Sequence, residues 1–185
     1  MSLSRTNTRL QVEHPVTEQI TGVDLVKEQI KIAQGEVLTI QQEDLKIQGH
    51  SLEVRVYAED PKNNFLPDIG KLTTYKRPQG AGVRVDDGFE QGMDVPIYYD
   101  PMIAKLVTFG KDRTQAIERM LRAIEEYQIV GIETTLGFCS YVLQHESFVS
   151  GKFDTNFVNK YFAPEILDKH HLSEDAQTQE KQVAA

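Results

Sequence analysis

The sequence contains a single cysteine, no apolar run of membrane-spanning length and fewer basic than acidic residues. The lone cysteine, Cys139, excludes an internal disulfide framework and fits a reducing compartment. The sequence has no recognisable signal peptide, so we expect a soluble, cytoplasmic protein that does not associate with membranes. A net charge of −8 argues against a general affinity for nucleic acid, which favours basic surfaces. With 185 residues and 39% hydrophobic content, the chain is long enough for one domain core.

A short segment near the start carries polar side chains at every second position: Asn7, Arg9, Gln11 and Glu13. Alternate side chains of an extended strand share a face, so the pattern predicts a strand that presents two amides, a guanidinium and a carboxylate together. Such a face suits a small oxyanion held beside a base. Pro15 has no N–H and disfavours helix at the preceding residue, so it should end the strand.

Helical and extended patterns alternate along the rest of the chain. Apolar residues at helical spacing predict helices over about 23–35, from Asp112 as the N-cap, over 135–145, and from Thr155. Strict alternation or short apolar runs predict strands over 52–57, 71–76, 82–86 and 103–109. Because glycine-containing turns join consecutive strands, the predicted class is α+β, with a mostly antiparallel sheet and flanking helices.

Several short motifs follow one another along the chain: Asn7 to Glu18, Ile20 to Val26, Gly49 to Arg55, Ala58 to Pro61, Phe65 to Pro67, Gly70-Lys71, Tyr98 to Ile103, and Thr155-Asn156. In this order they resemble the biotin carboxylases, the ATP-grasp enzymes of acetyl-CoA, propionyl-CoA and pyruvate carboxylases. The resemblance extends to about Phe162 and covers only the C-terminal third of that enzyme. It implies a leader or cloning remnant over 1–6, the end of an ATP-grasp domain over 7–35, the biotin carboxylase C-terminal domain over 36–166, and a disordered polar tail over 167–185.

The resemblance assigns chemistry to three of the polar residues. Arg9 would grip bicarbonate in a bidentate manner, with Gln11 and the backbone N–H of Val12 completing the site. Glu13 would be the general base that deprotonates bicarbonate for attack on the ATP γ-phosphate, giving carboxyphosphate. Arg55 would stabilise the enolate-like form of biotin. The alternative for each is a structural ion pair, and Glu13 could serve both purposes.

Other residues have weaker assignments. By resemblance, Asn7 would lie near biotin and the metal-bound phosphates, Phe157 would approach the adenine pocket, and Arg84 and Asp100 would lie at the dimer contact. Each also has a structural interpretation; Phe157 suits a core aromatic and Asp100 a turn cap. We expect His14 to stabilise a turn and Cys139 to be a buried thiol. His170 and His171 are adjacent without further ligands, so they do not predict a metal site.

The sequence lacks parts that the whole enzyme would require. It has no glycine-rich phosphate loop, and Arg5 stands where the family places a magnesium-binding glutamate, which a cation cannot replace. The complete enzyme would use biotin on a carrier protein, ATP and Mg²⁺. We expect none of them to be bound to this piece, which should be inactive alone.

The resemblance implies a biotin carboxyl carrier protein or domain, a carboxyltransferase and a second copy of the chain as partners. The sequence does not identify the acyl acceptor. A non-catalytic dimerisation or scaffold module is the alternative function. A relative of carbamoyl phosphate synthetase fits less well, because the run Gln11 to Pro15 is particular to biotin enzymes.

Overall fold

The computed structural model describes residues 9–96 and 100–168. The helices in these ranges are α1 (His14–Thr21), α2 (Leu25–Ala33), α3 (Arg113–Glu126), α4 (Leu136–Gln144), α5 (Glu146–Val149) and α6 (Phe157–Tyr161). The strands are β1 (His50–Tyr57), β2 (Glu59–Asp60), β3 (Leu66–Pro67), β4 (Gly70–Lys71), β5 (Thr74–Lys76), β6 (Val83–Asp87), β7 (Asp94–Val95), β8 (Met102–Gly110) and β9 (Gln128–Val130). Two 3₁₀ turns span Gln42–Asp44 and Pro61–Asn63.

The central element is an antiparallel sheet in the order β1-β8-β6. The register places Arg55 of β1 opposite Lys105 of β8, and Lys105 in turn opposite Asp86 of β6. Three further antiparallel pairs, β2-β3, β4-β7 and β5-β9, surround this sheet. The structure therefore confirms the predicted α+β class with mostly antiparallel pairing.

One face of the central sheet, here called the core face, is apolar and packs against α3. It carries Val54, Val56 and Leu106, while α3 contributes Met120 and neighbouring small side chains. Burying each large apolar side chain stabilises the fold by about 1.5–3 kcal/mol. The hydroxyl of Thr108, also on this face, donates to the carbonyl of Ala116 in α3 at 2.9 Å, so this buried polar group is satisfied.

The opposite face, here called the charged face, lies beneath α1, which packs against β1 and β8. Its charged strand residues are Glu53, Arg55, Arg84, Asp86 and Lys105. Because side chains alternate along a strand, the same alternation that builds the apolar core brings these five charges together. The charged face is where the chemically interesting residues of this chain lie.

The predicted opening strand is wrong for the described residues. The chain turns before α1, with backbone hydrogen bonds from His14 to Gln11 (3.2 Å) and from Val16 to Glu13 (3.1 Å). Pro15 does not prevent helix at His14 but lies in the first turn of α1, where its missing N–H would have no intrahelical partner anyway. The polar alternation over residues 9–13 therefore does not correspond to a strand face.

Most other elements agree with the sequence pattern. The strand predicted over 52–57, the helix capped by Asp112 and the helix over 135–145 are present with small changes in their ends. The strand predicted over 71–76 is two short strands, since Leu72 pairs instead with Met93 through its backbone. Leu167, placed by the sequence at the start of the polar tail, is buried, and Asp168 forms an ion pair with Lys62.

Candidate functional site

A carboxylate and a guanidinium from distant parts of the sequence meet over the charged face. Glu13 is the N-cap of α1 and Arg55 lies in β1; Arg55 Nη2 donates to Glu13 Oε2 at 2.9 Å. Their side chains are 48% and 41% exposed, so a small solute can reach both. The fold thus joins two residues, predicted separately as a base and as an oxyanion-stabilising cation, into one ion pair.

The environment of Glu13 favours its ionised form. A backbone hydrogen bond within the residue lowers the pKa of the Glu13 carboxyl; burial opposes this, but the hydrogen bond and charge of Arg55 and the charge of Arg9 also lower the pKa, so that the net shift is downward. A general base must be deprotonated before it can act, so the lowered pKa keeps Glu13 ready to accept a proton at neutral pH.

Arg9 lies close to this pair but does not contact it directly. Its exposed guanidinium donates to the carbonyl of Leu10 at 3.4 Å, and no carboxylate in the described residues lies within ion-pair distance of it. Its charge nevertheless lowers the pKa of Glu13. The predicted side-by-side arrangement of Arg9 and Glu13 on a strand is thus replaced by a turn in which Arg55, and not Arg9, holds the carboxylate.

Gln11 and Val12 belong to the same turn as Glu13. The carbonyl of Gln11 accepts hydrogen bonds from the backbone N–H of His14 (3.2 Å) and from its ring Nδ1 (2.8 Å), which is the turn-stabilising role expected for this histidine. The side chain of Gln11 is exposed. Asn7 and Arg5, named in the sequence analysis, lie outside the described residues.

Glu53 is a residue of this region that the sequence analysis passed over. It is two positions before Arg55 on the charged face, and its side chain is only 5% exposed. Neither carboxylate oxygen has a hydrogen-bond partner in the described part of the chain; the Nε atom of Arg55 lies 4.0 Å from Oε1. Burial raises the pKa of Glu53, while the charges of Lys105 and Arg55 lower it. Its position beside Arg55 in the alternation was the signal that could have identified it.

Arg84 lies farther along the same face and holds α1 to the sheet. It donates through Nη1 to Glu18 of α1, and through Nε and Nη2 to both oxygens of Asp86, each at 2.8 Å. Asp86 also lies 3.4 Å from the Nζ atom of Lys105. The residue predicted at the dimer contact therefore has an extensive role within its own chain.

The remaining predicted residues lie elsewhere. Asp100 accepts a hydrogen bond from the backbone N–H of Met102 at 3.0 Å, as a turn cap would. Phe157 is buried at the start of α6 and packs edge-on against His145, as expected for a core aromatic. Cys139 is half-buried against the core, and burial raises the pKa of its thiol to about 12, so the expectation of a buried thiol is met only in part.

The described residues contain neither a cluster of metal-ligating side chains nor a helix that could span a membrane. Over 9–96 and 100–168, no group of three or more histidine, cysteine, aspartate or glutamate side chains is arranged to hold a metal ion. No helix in the described ranges is both long and apolar enough to cross a bilayer.

Comparison with protein families matches residues 53–160 to the biotin carboxylase C-terminal domain. The chain belongs to this family. Residues 3–41 match a second family model, the ATP-binding domain of the carbamoyl-phosphate synthase L chain. Arg55 falls within the biotin carboxylase C-terminal match and Glu13 within the ATP-binding-domain match, so their ion pair joins the two matched segments.

Subunits of biotin-dependent carboxylases are similar in sequence to most of the chain. Biotin carboxylase 1 of Bacillus subtilis is 53% identical over 155 residues, which is 84% of this chain and 34% of the relative. The human mitochondrial propionyl-CoA carboxylase alpha chain is 47% identical over 175 residues, or 94% of this chain and 24% of the relative.

A solved structure has the same fold. The biotin carboxylase domain dimer of Hydrogenobacter thermophilus 2-oxoglutarate carboxylase, in complex with MgADP, ADP and bicarbonate, matches with a TM-score of 0.84 and 44% identity. The match covers 87% of this chain and 35% of that one. The biotin carboxylase C-terminal domain described here thus spans about a third of such relatives or less.

Proposed function

We propose that this chain supplies the bicarbonate- and biotin-facing part of a biotin carboxylase active site. The observation that carries the proposal is the ion pair between Glu13 and Arg55, which are 42 positions apart in the sequence and reach each other only in the folded chain. Family membership and a bicarbonate-bound relative support it. The whole enzyme carboxylates biotin with ATP and bicarbonate through carboxyphosphate.

Glu13 acts as the general base. It accepts the proton of bicarbonate, so that the O–H bond breaks and the resulting carbonate oxygen can attack the γ-phosphate of ATP. Its lowered pKa and its 48% exposure support this role, because the base must be both ionised and accessible. Arg9 binds the anion from the same turn, with Gln11, the backbone N–H of Val12 and Asn7 around it.

Arg55 acts as the cation that stabilises negative charge on the ureido oxygen of biotin when the adjacent nitrogen loses its proton. A guanidinium that stays charged lowers the free energy of such an oxyanion through its charge and its N–H donors. At rest Arg55 is paired with Glu13. Protonation of Glu13 by bicarbonate would weaken that pair and free the guanidinium, so that the two steps follow one another.

ATP and Mg²⁺ are held by the part of the enzyme that this chain does not span. The described residues offer no metal cluster, and the chain covers about a third of the bacterial relative. Acting alone, the chain is inactive in ATP cleavage. The proposed partners are a biotin carboxyl carrier protein or domain, a carboxyltransferase and a second copy of the chain.

Complementation tests the proposal. The chain is mixed with the N-terminal part of the Bacillus subtilis relative that it does not cover, and bicarbonate-dependent ATP cleavage is measured. We expect activity with the wild-type chain and with Glu43→Gln, a change at an exposed carboxylate away from the site. Glu13→Ala should abolish ATP cleavage, whereas Arg55→Ala should abolish the carboxylation of added free biotin. A complex that forms by sedimentation but cleaves no ATP would contradict the proposal.

A non-catalytic dimerisation module is the second candidate. A domain dimer among the solved relatives favours it, as do the exposed apolar side chains of α2, Val26, Ile30 and Ile32. Sedimentation at micromolar concentration separates the two functions. A firm dimer without affinity for bicarbonate or free biotin would support this candidate and oppose the catalytic one.

A further inference from the structure

Glu53 is a buried carboxylate whose oxygens have no hydrogen-bond partner in the described part of the chain. Leaving such a group without a partner destabilises a fold, and most buried polar groups in proteins are paired. A glutamine or an apolar residue at this position would avoid the penalty. The charged groups around this carboxylate indicate why a glutamate without a hydrogen bond to the described residues lies at this position.

The charged groups that face Glu53 come from three elements. Arg55 extends from the same strand, Lys105 from β8, and Glu13 and His14 from the beginning of α1. The pKa of Glu53 is raised, chiefly by burial. The charges of Lys105, Arg55 and His14 lower it, and the charge of Glu13 raises it, but these effects do not outweigh burial. Glu53 thus lies among the same groups that form the proposed site.

Arg55 is placed between two carboxylates. Its Nη2 atom donates to Glu13 at 2.9 Å, whereas its Nε atom points toward Glu53 at 4.0 Å, too far for a hydrogen bond. A guanidinium has five N–H groups in a planar fork, so a small shift of the side chain would let Nε–H reach the inner carboxylate. Arg55 therefore has one carboxylate partner near solvent and another, Glu53, in the interior beyond hydrogen-bond distance, while the neighbouring Tyr57 side chain raises the pKa of Arg55 most strongly.

We propose that Glu53 is a positioning residue for Arg55, which accepts the Nε–H of Arg55 when Glu13 becomes protonated. The inference rests on the proposed function. The proton leaves a bicarbonate oxygen and bonds to a Glu13 oxygen, which makes Glu13 neutral and weakens its hold on Nη2. Glu53 then anchors the other edge of the guanidinium, and the Nη groups turn to the oxyanion of biotin. Loss of this proton from Glu13 to solvent after turnover restores the resting ion pair.

NMR of the 185-residue chain tests this inference without any enzyme activity. Glu13→Gln imitates the protonated base, because the amide has nearly the same shape and no charge. We expect this variant to slow hydrogen exchange of the Arg55 Nε–H roughly tenfold, since a hydrogen bond to a buried carboxylate is among the stronger ones. The double variant Glu13→Gln/Glu53→Met, which lacks the inner acceptor, should return exchange to the wild-type rate.

Matched variants keep the result interpretable. Glu43→Gln, at an exposed position, should leave Arg55 exchange unchanged. If Glu53→Met does not fold, Glu53→Gln in the Glu13→Gln background removes only the charge and should give an intermediate rate. Equal exchange rates in the wild type and in Glu13→Gln would overturn the inference, as would slow exchange that persists in the double variant.

The outcome is separable from that of the proposed function. Failure of complementation together with the expected exchange pattern would reject the catalytic role and keep the movement of Arg55. Successful complementation with unchanged exchange would reject the role of Glu53 and keep the catalytic proposal. If the catalytic role of the chain and the positioning role of Glu53 are both correct, Glu53→Gln in the complemented enzyme should lower kcat with little change in the KM for bicarbonate. The reason is that Glu53 acts through Arg55 and not on the anion.

Discussion

Replacing Arg84 by alanine removes the guanidinium that joins α1 to β6. Three charged hydrogen bonds of 2.8 Å are lost, one to Glu18 and two to Asp86. The carboxylates left behind are partly buried, with side chains 12% and 29% exposed. Glu18 retains a hydrogen bond from the backbone N–H of Leu25 at 2.9 Å, while Asp86 retains, among the described residues, the Nζ atom of Lys105 at 3.4 Å.

The expected loss lies between two limits. An exposed ion pair contributes at most about 1 kcal/mol, whereas removal of one partner from a buried pair costs about 3–5 kcal/mol. Because Arg84 is 34% exposed and bonds to two partly buried acids, we expect the free energy of unfolding to fall by about 2–3 kcal/mol. Urea unfolding at pH 7 measures this change.

The pH dependence of this loss has a definite sign. Burial tends to raise the pKa of Asp86, but the hydrogen bonds and charges of Arg84 and the charge of Lys105 outweigh it, so the pKa is lowered. The stability gained from a lowered pKa is complete above the ordinary carboxyl value and is lost as pH falls through the folded-state pKa. The difference between wild type and Arg84→Ala should therefore stay nearly constant from pH 7 down to about pH 4 and narrow only as the pH falls below about 4.

Arg122→Ala is the matched control. Arg122 pairs with Glu126 at 3.8 Å on the surface of α3, and both side chains are more than 40% exposed, so this change should alter stability by less than about 0.5 kcal/mol. An Arg84→Ala loss no larger than that of the control would refute the idea that the network holds α1. A normally stable variant that fails to dimerise would instead place Arg84 at the contact between copies.

Three further predictions concern the packing of the domain. Gly131→Ala should destabilise the fold by about 2 kcal/mol or more in urea unfolding, because φ is +109° and a Cβ would lie 2.0 Å from the Lys71 carbonyl oxygen. The control Gly88→Ala, where a Cβ would enter open space, should have little effect in the same assay. Met120→Ala, at a fully buried position of α3, should lower the free energy of unfolding by about 3 kcal/mol in the same assay. The Cys139 thiol, with its pKa raised to about 12, should react with a disulfide reagent at pH 8 more slowly than a free thiol, because little of it is thiolate; a native rate equal to that of the urea-unfolded chain would contradict the raised pKa.

The sequence predicted the elements that depend on local rules. Asp112 was expected to cap a helix, and its side chain accepts the backbone N–H of Gln115 at 2.9 Å. The alternation around Val54 correctly separated a core face from a charged face. Such features depend on residues a few positions apart, so the spacing of apolar residues and the chemistry of helix caps suffice to predict them.

The candidate site was only partly predictable, for a physical reason. The sequence pointed to Glu13 and Arg55 separately, but the spacing of Arg9 and Glu13 suggested a partnership that belongs instead to Glu13 and Arg55. That pair depends on α1 lying over the sheet, and α1 was missed because Pro15 was taken to exclude helix at His14. Without α1, nothing in the strand pattern indicated that Glu53 would be buried.

The position of the proposed base therefore depends on how α1 is held. Glu13 lies just before the first turn of α1 and Glu18 lies five residues later, about 7.5 Å along the helix axis. Arg55 binds the first and Arg84 the second, so two ion pairs attach one short helix to β1 and β6. A helix fixed at two points cannot tilt without breaking one of them. Loss of Arg84 would leave only the Arg55–Glu13 pair of these two, so that α1 could tilt and shift Glu13, and the Arg84→Ala chain should complement ATP cleavage less well than the wild type even under conditions where it remains folded.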